Sequence, residues 1–189
     1  TATYSDTTSS DVTTSVTWTV DATATATVSS AGLLSAVEVG NTTLTATKDG
    51  VTSNTVDVNV SAAVITSIQV TPSPVNVAKG QTQQLTATAT FSDMTSSDIS
   101  NSVTWTPIDT ATATVSSAGL LSAVEVGNTT LTATKDGVTS NTVDVNVSAA
   151  VITSIQVTPS PVNVAKGQTQ QLTATATFSD MTSSDISSS

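Results

Sequence analysis

The side chains of this sequence that could do chemistry are acids and hydroxyls, because its 189 residues include no His, no Cys and no Arg. Acid–base and nucleophilic catalysis need a positioned proton acceptor beside a nucleophile, most often His with Ser or Cys. The carboxylates left to fill that role are scattered over predicted loops. The sequence therefore predicts no catalytic residue, no cofactor-binding motif and no enzymatic activity.

Calcium chelation is the remaining chemistry that acids on loops could support. Asp93 and Asp98 lie in one predicted loop, 92–101, and Asp136 lies in a predicted hairpin at 135–137. Strand alternation puts both segments at the same end of the predicted fold, where oxygen ligands for Ca²⁺ could converge. No Asp-x-Asp or Asp-x-Asn-x-Asp spacing accompanies them, which favours the interpretation as solvated loop acids. Calcium bound by these three aspartates stays as the alternative.

The elements that must position these acids repeat along the chain with a period of 87 residues. Residues 1–87 and 88–174 differ at only eight positions, and residues 175–189 begin the unit again with one difference from 88–102. Fixed-period self-similarity is typical of an array of like modules. The period matches the size of a small domain, so we predict one module per repeat.

Composition favours a β-rich chain with an acidic surface. Thr, Ser, Ala and Val dominate, aromatic residues make up 3% of the chain, and the formal net charge is −10. Contacts with phosphates need clustered cations, so no nucleic-acid partner is expected. Apolar runs are only a few residues long, so no membrane insertion is expected. The missing initiator Met and signal peptide indicate a mature or excised segment.

Strands are predicted wherever polar and apolar residues alternate. In the run QLTATATF at 84–91 the Leu, Ala and Phe side chains share one face, and Val103 and Trp105 point inward from a later strand. Pro72 and Pro74 interrupt the first strand, which places it at a sheet edge where the chain changes sheets. A two-sheet antiparallel β-sandwich follows, with strands of the complete repeat at approximately 64–70, 75–78, 82–91, 102–107, 111–115, 119–126, 129–135 and 138–147.

Several motifs of the complete repeat carry a family resemblance: IQVTP (68–72), KGQTQQLTA (79–87), VTW (103–105), ATVS (113–116), GLL (119–121) and GNTTLTAT (127–134). Together they resemble the bacterial immunoglobulin-like domain of group 2, found in intimin-type and other large surface adhesins. The sequence departs from that family at Pro107-Ile108-Asp109, where a polar Ser/Asn turn is usual. The resemblance implies an all-β fold of tandem immunoglobulin-like antiparallel β-sandwiches, used as a surface spacer or adhesive stalk without catalytic residues.

The repeat divides the chain into three parts. Residues 1–61 are a partial repeat that lacks its first two strands, 62–148 are a complete repeat, and 149–189 are the N-terminal strands of a further repeat. An incomplete sandwich exposes its core and leaves backbone groups unpaired, so both ends need strands from elsewhere. Two sources stay open: neighbouring repeats of a longer chain, or an adjacent copy that completes the sandwich head to tail.

The expected function is structural. We predict a non-catalytic repeat of an extracellular bacterial filament or large cell-surface adhesin, whose partner is the chain itself, head to tail. The alternative is a module that binds an unknown surface ligand, such as a glycan or a host protein. That alternative needs exposed aromatic anchors on loops, whereas the predicted loops carry Ser, Thr, Asp and Gly.

Overall fold

The computed structural model describes residues 1–188 as short β-strands that form two compact units. The first unit is Thr1–Ala63, and the second begins at Val64. Thr and Val dominate the strands because their β-branched side chains favour an extended backbone and pack on a pleated surface. Between residues 1 and 188, no helix has the length or the apolar character that crossing a membrane requires.

The first unit contains eight strands and one turn of 3₁₀ helix at Thr13–Ser15. Its strands are β1 (Ala2–Thr3), β2 (Ser9–Ser10), β3 (Thr17–Val20), β4 (Ala26–Val28), β5 (Leu34–Ala36), β6 (Gly40–Lys48), β7 (Val51–Thr52) and β8 (Val56–Val60). Strand β6 pairs antiparallel with β3, β7 and β8, and the pairs β1–β2 and β4–β5 form separate two-stranded sheets. The buried core of this unit is small and consists of Ala26, Leu44 and Val58.

The second unit starts with the complete module. Its strands are β9 (Ile65–Thr71), β10 (Val75–Ala78), β11 (Thr82–Gln84), β12 (Thr86–Phe91), β13 (Ser96–Asp98), β14 (Thr104–Pro107), β15 (Ala113–Val115), β16 (Leu120–Ala123), β17 (Gly127–Lys135), β18 (Val138–Thr139) and β19 (Val143–Ser148). They form the sheets β13-β12-β9, β11-β16-β15 and β10-β19-β17-β14, and β18 pairs with β17. A three-stranded sheet follows, built from β20 (Ile152–Thr158), β21 (Thr173–Phe178) and β22 (Ser183–Asp185).

The core of the complete module lies between its sheets. Alternate residues point inward, so that Val143, Val145 and Val147 of β19 are buried whereas Asp144 and Asn146 are exposed. The other fully or nearly fully buried apolar residues are Ile68, Val70, Val75, Val77, Leu85, Ala87, Ala89, Ile99, Val103, Ala113, Leu121, Ala123, Leu131 and Ala133. The residues predicted to face inward at 85, 87 and 89 are therefore confirmed.

The two prolines of the first strand mark a change of sheet, as predicted. Strand β9 ends one residue before Pro72 and lies at the edge of its sheet, antiparallel to β12. Strand β10 starts after Pro74 at the edge of the opposite sheet, where it runs parallel to β19 with Val75 opposite Val145. Proline lacks a backbone N–H, so the break falls where no ladder hydrogen bond is lost.

Three predicted segments were wrong in detail. The predicted strand 82–91 is divided at Leu85 into β11 and β12, which belong to different sheets. The predicted loop 92–101 contains β13, so Asp98 ends a strand rather than lying in a loop. The predicted strand 138–147 is interrupted after Thr139, because the Ala133 N–H donates to Ser140 Oγ at 2.9 Å. A side chain there replaces the backbone partner that a continuous ladder would supply.

The aromatic residue predicted for the core is only half-buried. Trp105 packs against the buried residues, and its Nε1–H donates to the Ser100 carbonyl oxygen at 3.1 Å. An indole usually keeps such a polar partner when it is buried. Its position at the margin of the core follows from this hydrogen bond.

Replacing Asn141 by Ala is expected to lower the free energy of unfolding of the second unit by about 1–3 kcal/mol. Asn141 Oδ1 accepts the Val70 N–H at 2.7 Å, and Val70 is fully buried, so the variant leaves this donor without a partner. Urea denaturation followed by Trp105 fluorescence, in a Trp18→Phe background, measures the loss. The matched control is Asn54→Ala at an exposed position of the first unit, followed by Trp18 fluorescence in a Trp105→Phe background; an equal loss in both variants contradicts this role.

Candidate functional site

The acids proposed as calcium ligands serve first as turn-closing groups. Asp93 Oδ1 accepts the Thr95 N–H at 3.0 Å and the Thr95 hydroxyl at 2.7 Å. Asp98 Oδ1 accepts the Ser100 N–H at 2.8 Å and the Ser100 hydroxyl. Short polar side chains that bond to the backbone two residues ahead are a standard means of closing a turn. One oxygen of each carboxylate is therefore already engaged within its own turn.

Asp136 occupies a different kind of turn. It lies in the two-residue loop between β17 and β18, with φ of 51°, and Gly137 follows with φ of 79°. Positive φ at both positions is typical of the tight hairpin turn that Asp-Gly favours, so the predicted hairpin is confirmed. Within residues 1–188, no group of three or more carboxylate, His or Cys side chains is close enough to hold a metal ion. The structure thus does not bring Asp93, Asp98 and Asp136 together.

Acid is expected to destabilise the module through Asp98. The Ser100 hydroxyl donates to Asp98 and accepts the buried Ala87 N–H at 2.9 Å, so the carboxylate anchors β12 through one serine. Hydrogen bonds from the Ser100 side chain, and then from its backbone, hold the pKa of Asp98 below its ordinary value. A lowered folded-state pKa contributes stability that is complete above the unfolded pKa of about 3.9 and is lost as pH falls through the folded value.

The test is urea denaturation at pH 7 and at several values below about 4. The parent midpoint should fall as the pH drops, and Asp98→Asn should start lower at pH 7 and fall less steeply. Asp144→Asn, at an exposed position of β19, is the matched control and should keep the parent profile. An unchanged acid profile for Asp98→Asn contradicts the assignment.

The first unit has an open apolar surface, here called the head face and defined by Val12, Val16, Leu34 and Val56. Val56 is 44% exposed, whereas Val143, the identical residue one repeat later, is fully buried. A cavity of about 550 Å³ opens on the same side, lined by Val12, Val16, Trp18, Leu44 and Val56 among others. The surface is open because the segment equivalent to β9–β11 is not among residues 1–63.

The C-terminal strands expose apolar residues that are buried in the complete module. The tail segment, residues 151–178, has the same sequence as residues 64–91. In the complete module that sequence buries most of its apolar residues, yet Leu172 of the tail segment is 41% exposed where Leu85 is fully buried. The stretches 162–165 and 169–171 are not strands, although their identical counterparts are β10 and β11. The tail segment therefore lacks the partner strands that its counterpart uses.

The complete module and the next repeat contact each other directly. The Ser179 hydroxyl donates to the Lys79 carbonyl oxygen at 2.6 Å. A Cβ atom added to Gly80 would collide with the Ser179 carbonyl oxygen and with Asp180 Cα, so only glycine fits the turn at this distance. The contact joins the turn after β10 to the turn after β21.

The sequence analysis did not identify Asn141, which binds the backbone of a neighbouring strand, or its counterpart Asn54. Asn141 clamps β9 through the Val70 backbone, and Asn54 is its counterpart on the first unit. The signal in the sequence is the pair Ser-Asn inside VTSNTVDV, where two polar residues break the period-two alternation. Such a break marks a place where side chains take over backbone hydrogen bonds.

Residues 1–59 and 64–146 match the family described as bacterial Ig-like domain (group 2). The chain belongs to this family. The match confirms the resemblance inferred from the motifs, and it agrees with the antiparallel sheets of both units. As a member of the bacterial Ig-like family, the chain is built of Ig-like domains.

Among curated proteins, the chain is similar to Ice-binding protein 1 of Shewanella frigidimarina (strain NCIMB 400), with 41% identity over 191 residues. The match covers 99% of the chain but 21% of that protein, so the chain spans about a fifth of its relative's length. Among solved structures, surface layer protein SbsC domains 4–9 match at 23% identity with a TM-score of 0.44, over 96% of this chain and 30% of that one. SbsC domains 4 and 5 match at 25% identity with a TM-score of 0.42, over 72% of each chain.

Proposed function

We propose that the chain is a non-catalytic structural repeat of an extracellular bacterial filament or large surface adhesin. Its Ig-like modules stack into a rod, and the incomplete modules at its ends are completed by an adjacent copy. The rod works mechanically, because it holds a distal element away from the cell and resists pulling through its strand ladders. We also propose a location on the bacterial cell surface, and membership of the bacterial Ig-like family supports this location.

The observation that carries the proposal is the direct contact between consecutive repeats. Only residues 149–151 separate β19 from β20, and the Ser179 hydroxyl donates to the Lys79 carbonyl oxygen. The Lys79 N–H donates in turn to the Ser148 carbonyl oxygen at 2.9 Å, beside the start of this connection. A short connection with direct contacts restricts the angle between neighbours, which favours a stiff array over independent beads.

The experiment is small-angle X-ray scattering of a single chain with several tandem repeats. The maximum dimension should increase by a constant length for each added repeat. Gly80→Gln at every junction should shorten it, because the new side chain strikes Ser179 and Asp180. Gly137→Gln is the matched control, since a Cβ at Gly137 meets no atom within 4 Å. Scattering typical of a flexible chain in the parent array would reject the rod.

The alternative is a module that binds a ligand at the surface. The name of the curated relative makes ice one ligand to test, and a glycan or a host protein are the others. Because the match covers 21% of that relative, its name does not assign ice binding to the matching segment. We expect no thermal hysteresis and no specific binding on a glycan array; a positive result in either assay favours the alternative.

The proposed rod needs no metal. We expect the melting temperature of the chain to be the same in excess EDTA and in millimolar Ca²⁺, because Asp93 and Asp98 are engaged in their own turns. A ligand that binds only the folded state would raise it. A calcium-dependent increase that disappears in Asp93→Asn, Asp98→Asn or Asp136→Asn would establish the site that the acids suggested.

A further inference from the structure

We infer that the tail segment of one copy docks on residues 16–61 of a second copy, in the register that residues 64–91 adopt on residues 103–148. This inference rests on the proposed function and gives the open ends a specific partner surface. The occupant of the head face is a second copy of this chain. The complete module serves as the template for every contact.

Sequence identity between template and docking partners supports the register. The tail segment matches 64–91 at every position, and residues 16–61 differ from 103–148 only at Val20, Asp21 and Ala22. The side chains that meet between copies are therefore the ones that meet between residues 64–91 and 103–148 inside the complete module. A contact that is stable inside one module has the same chemistry between copies.

Backbone pairing supplies the first part of the interface. In the complete module β10 runs parallel to β19, with Val75 opposite Val145 and Asn76 opposite Asn146. In the described first unit β8 pairs with β6 alone, so its other edge has no strand. An unpaired edge is a template for strand addition. Residues 162–165 of the second copy would add there as a parallel strand.

Apolar burial supplies the second part. Ile155 of the tail segment is 56% exposed, whereas its counterpart Ile68 is 5% exposed. Leu34 on the head face is 40% exposed, whereas its counterpart Leu121 is fully buried. Removal of apolar surface from water is the main driving force of association. Docking covers the exposed residues of both surfaces at once.

Polar contacts fix the position of the docked segment. The pair Val70 and Asn141 becomes Val157 of one copy and Asn54 of the other. The ion pair of Lys79 with Glu125, whose closest atoms are 3.0 Å apart, becomes Lys166 with Glu38. Directional contacts of this kind specify register more than affinity. A slip by one residue would turn every apolar side chain to the wrong face.

Residues 1–15 and 175–189 occupy the same place in the repeat and differ at five positions, so only one of the two hairpins fits in a completed module. Strand β21 pairs with β20 along its whole length, whereas β1 pairs with β2 at only two positions. The β20–β21 ladder has more paired residues than the β1–β2 ladder, so we expect the docked tail segment to displace β1 and β2. Amide hydrogen exchange should therefore slow across 152–178 and accelerate across 1–10 on assembly; unchanged exchange across 152–178 contradicts docking.

Disulfide trapping tests the register in the full chain, which contains no Cys of its own. In the template, Asn146 Nδ2 lies 3.4 Å from Asn76 Oδ1. The variant Asn59→Cys with Asn163→Cys should form a ladder of disulfide-linked oligomers on non-reducing gels. The matched control, Asn76→Cys with Asn146→Cys, should cross-link within one copy and migrate as a monomer. Absence of the ladder, or a link confined to single copies, overturns the register.

Complementary blocked variants test the partner. Leu34→Asp with Val56→Asp blocks the head face, and Ile155→Asp with Leu172→Asp blocks the tail segment. All four positions are exposed in the free copy, so both variants should keep the parent circular dichroism spectrum. Each variant alone should sediment as a monomer, and an equimolar mixture should form a dimer and nothing larger, whereas the parent forms longer oligomers.

A mixture that stays monomeric, or a head-blocked variant that still polymerises, overturns the docking inference. The rod proposal is tested separately on a covalent array of tandem repeats, in which every module receives its strands within one chain. An array that scatters as a rod while the blocked variants fail to pair would reject docking between copies and leave the rod intact.

Discussion

Replacement of Leu121 by Ala is expected to lower the free energy of unfolding of the second unit by about 2–5 kcal/mol. Leu121 is fully buried in β16, where it belongs to the core between the sheets. Truncation loses the transfer free energy of the removed methyl groups and leaves a cavity that a close-packed core fills only in part. Urea denaturation of the Trp18→Phe background, followed by Trp105 fluorescence, measures this loss.

The repeat provides the control at Leu34, which has the same neighbours in sequence. Leu34 is 40% exposed on the head face, so Leu34→Ala should change the free energy of unfolding of the first unit in a monomeric copy by about 1 kcal/mol or less. Trp18 fluorescence in a Trp105→Phe background measures this change. The same variant should weaken association between copies, because docking buries Leu34. Equal destabilisation by the two substitutions in monomeric protein would show that the head face is not open.

Replacement of Gly119 by Ala is expected to lower the free energy of unfolding by about 2–4 kcal/mol. Gly119 has φ of +79°, a conformation that L side chains rarely adopt. An added Cβ would lie 2.8 Å from the Leu85 carbonyl oxygen and 3.0 Å from the Trp105 ring. The Leu85 N–H donates to the Gly119 carbonyl oxygen at 2.9 Å. The backbone of this turn therefore cannot move away from Leu85 without losing that hydrogen bond.

Gly137 separates the cost of the backbone conformation from the cost of steric contact. Its φ is also +79°, but a Cβ there meets no atom within 4 Å. Gly137→Ala should therefore lower the free energy of unfolding only by the conformational term, about 1–2 kcal/mol. The difference between the two variants measures the contact with Leu85 and Trp105. Equal losses would show that close packing against Leu85 and Trp105 has no part in the requirement for glycine at 119.

The family and the all-β architecture could be predicted because they depend on local pattern. Period-two alternation placed Leu85 and Ala87 in the core, and the prolines placed a change of sheet between β9 and β10. The motifs KGQTQQLTA and GNTTLTAT indicate the bacterial Ig-like family, and the family match confirms it. Each of these inferences needs only neighbouring residues, so the sequence contains the whole signal.

The candidate site was predicted less well because its properties depend on residues distant in sequence. The sequence pattern predicts a loop at Asp98, whereas the structure places this residue at the end of β13, where it accepts hydrogen bonds from Ser100. Asn141 was not singled out, since its partner Val70 lies 71 residues away. Contacts at such separations leave no periodic trace in a single sequence.

The sequence by itself determined which residues alternate, where turns fall and which family the chain belongs to. Only the tertiary structure decided which of two identical segments becomes a strand: VNVA is β10 at 75–78, beside β19, and is not a strand at 162–165. The physical reason is that a β-strand exists through hydrogen bonds to a neighbour, so its formation depends on a partner as much as on its own residues. The same four residues are therefore a paired strand at 75–78 and have no strand partner at 162–165.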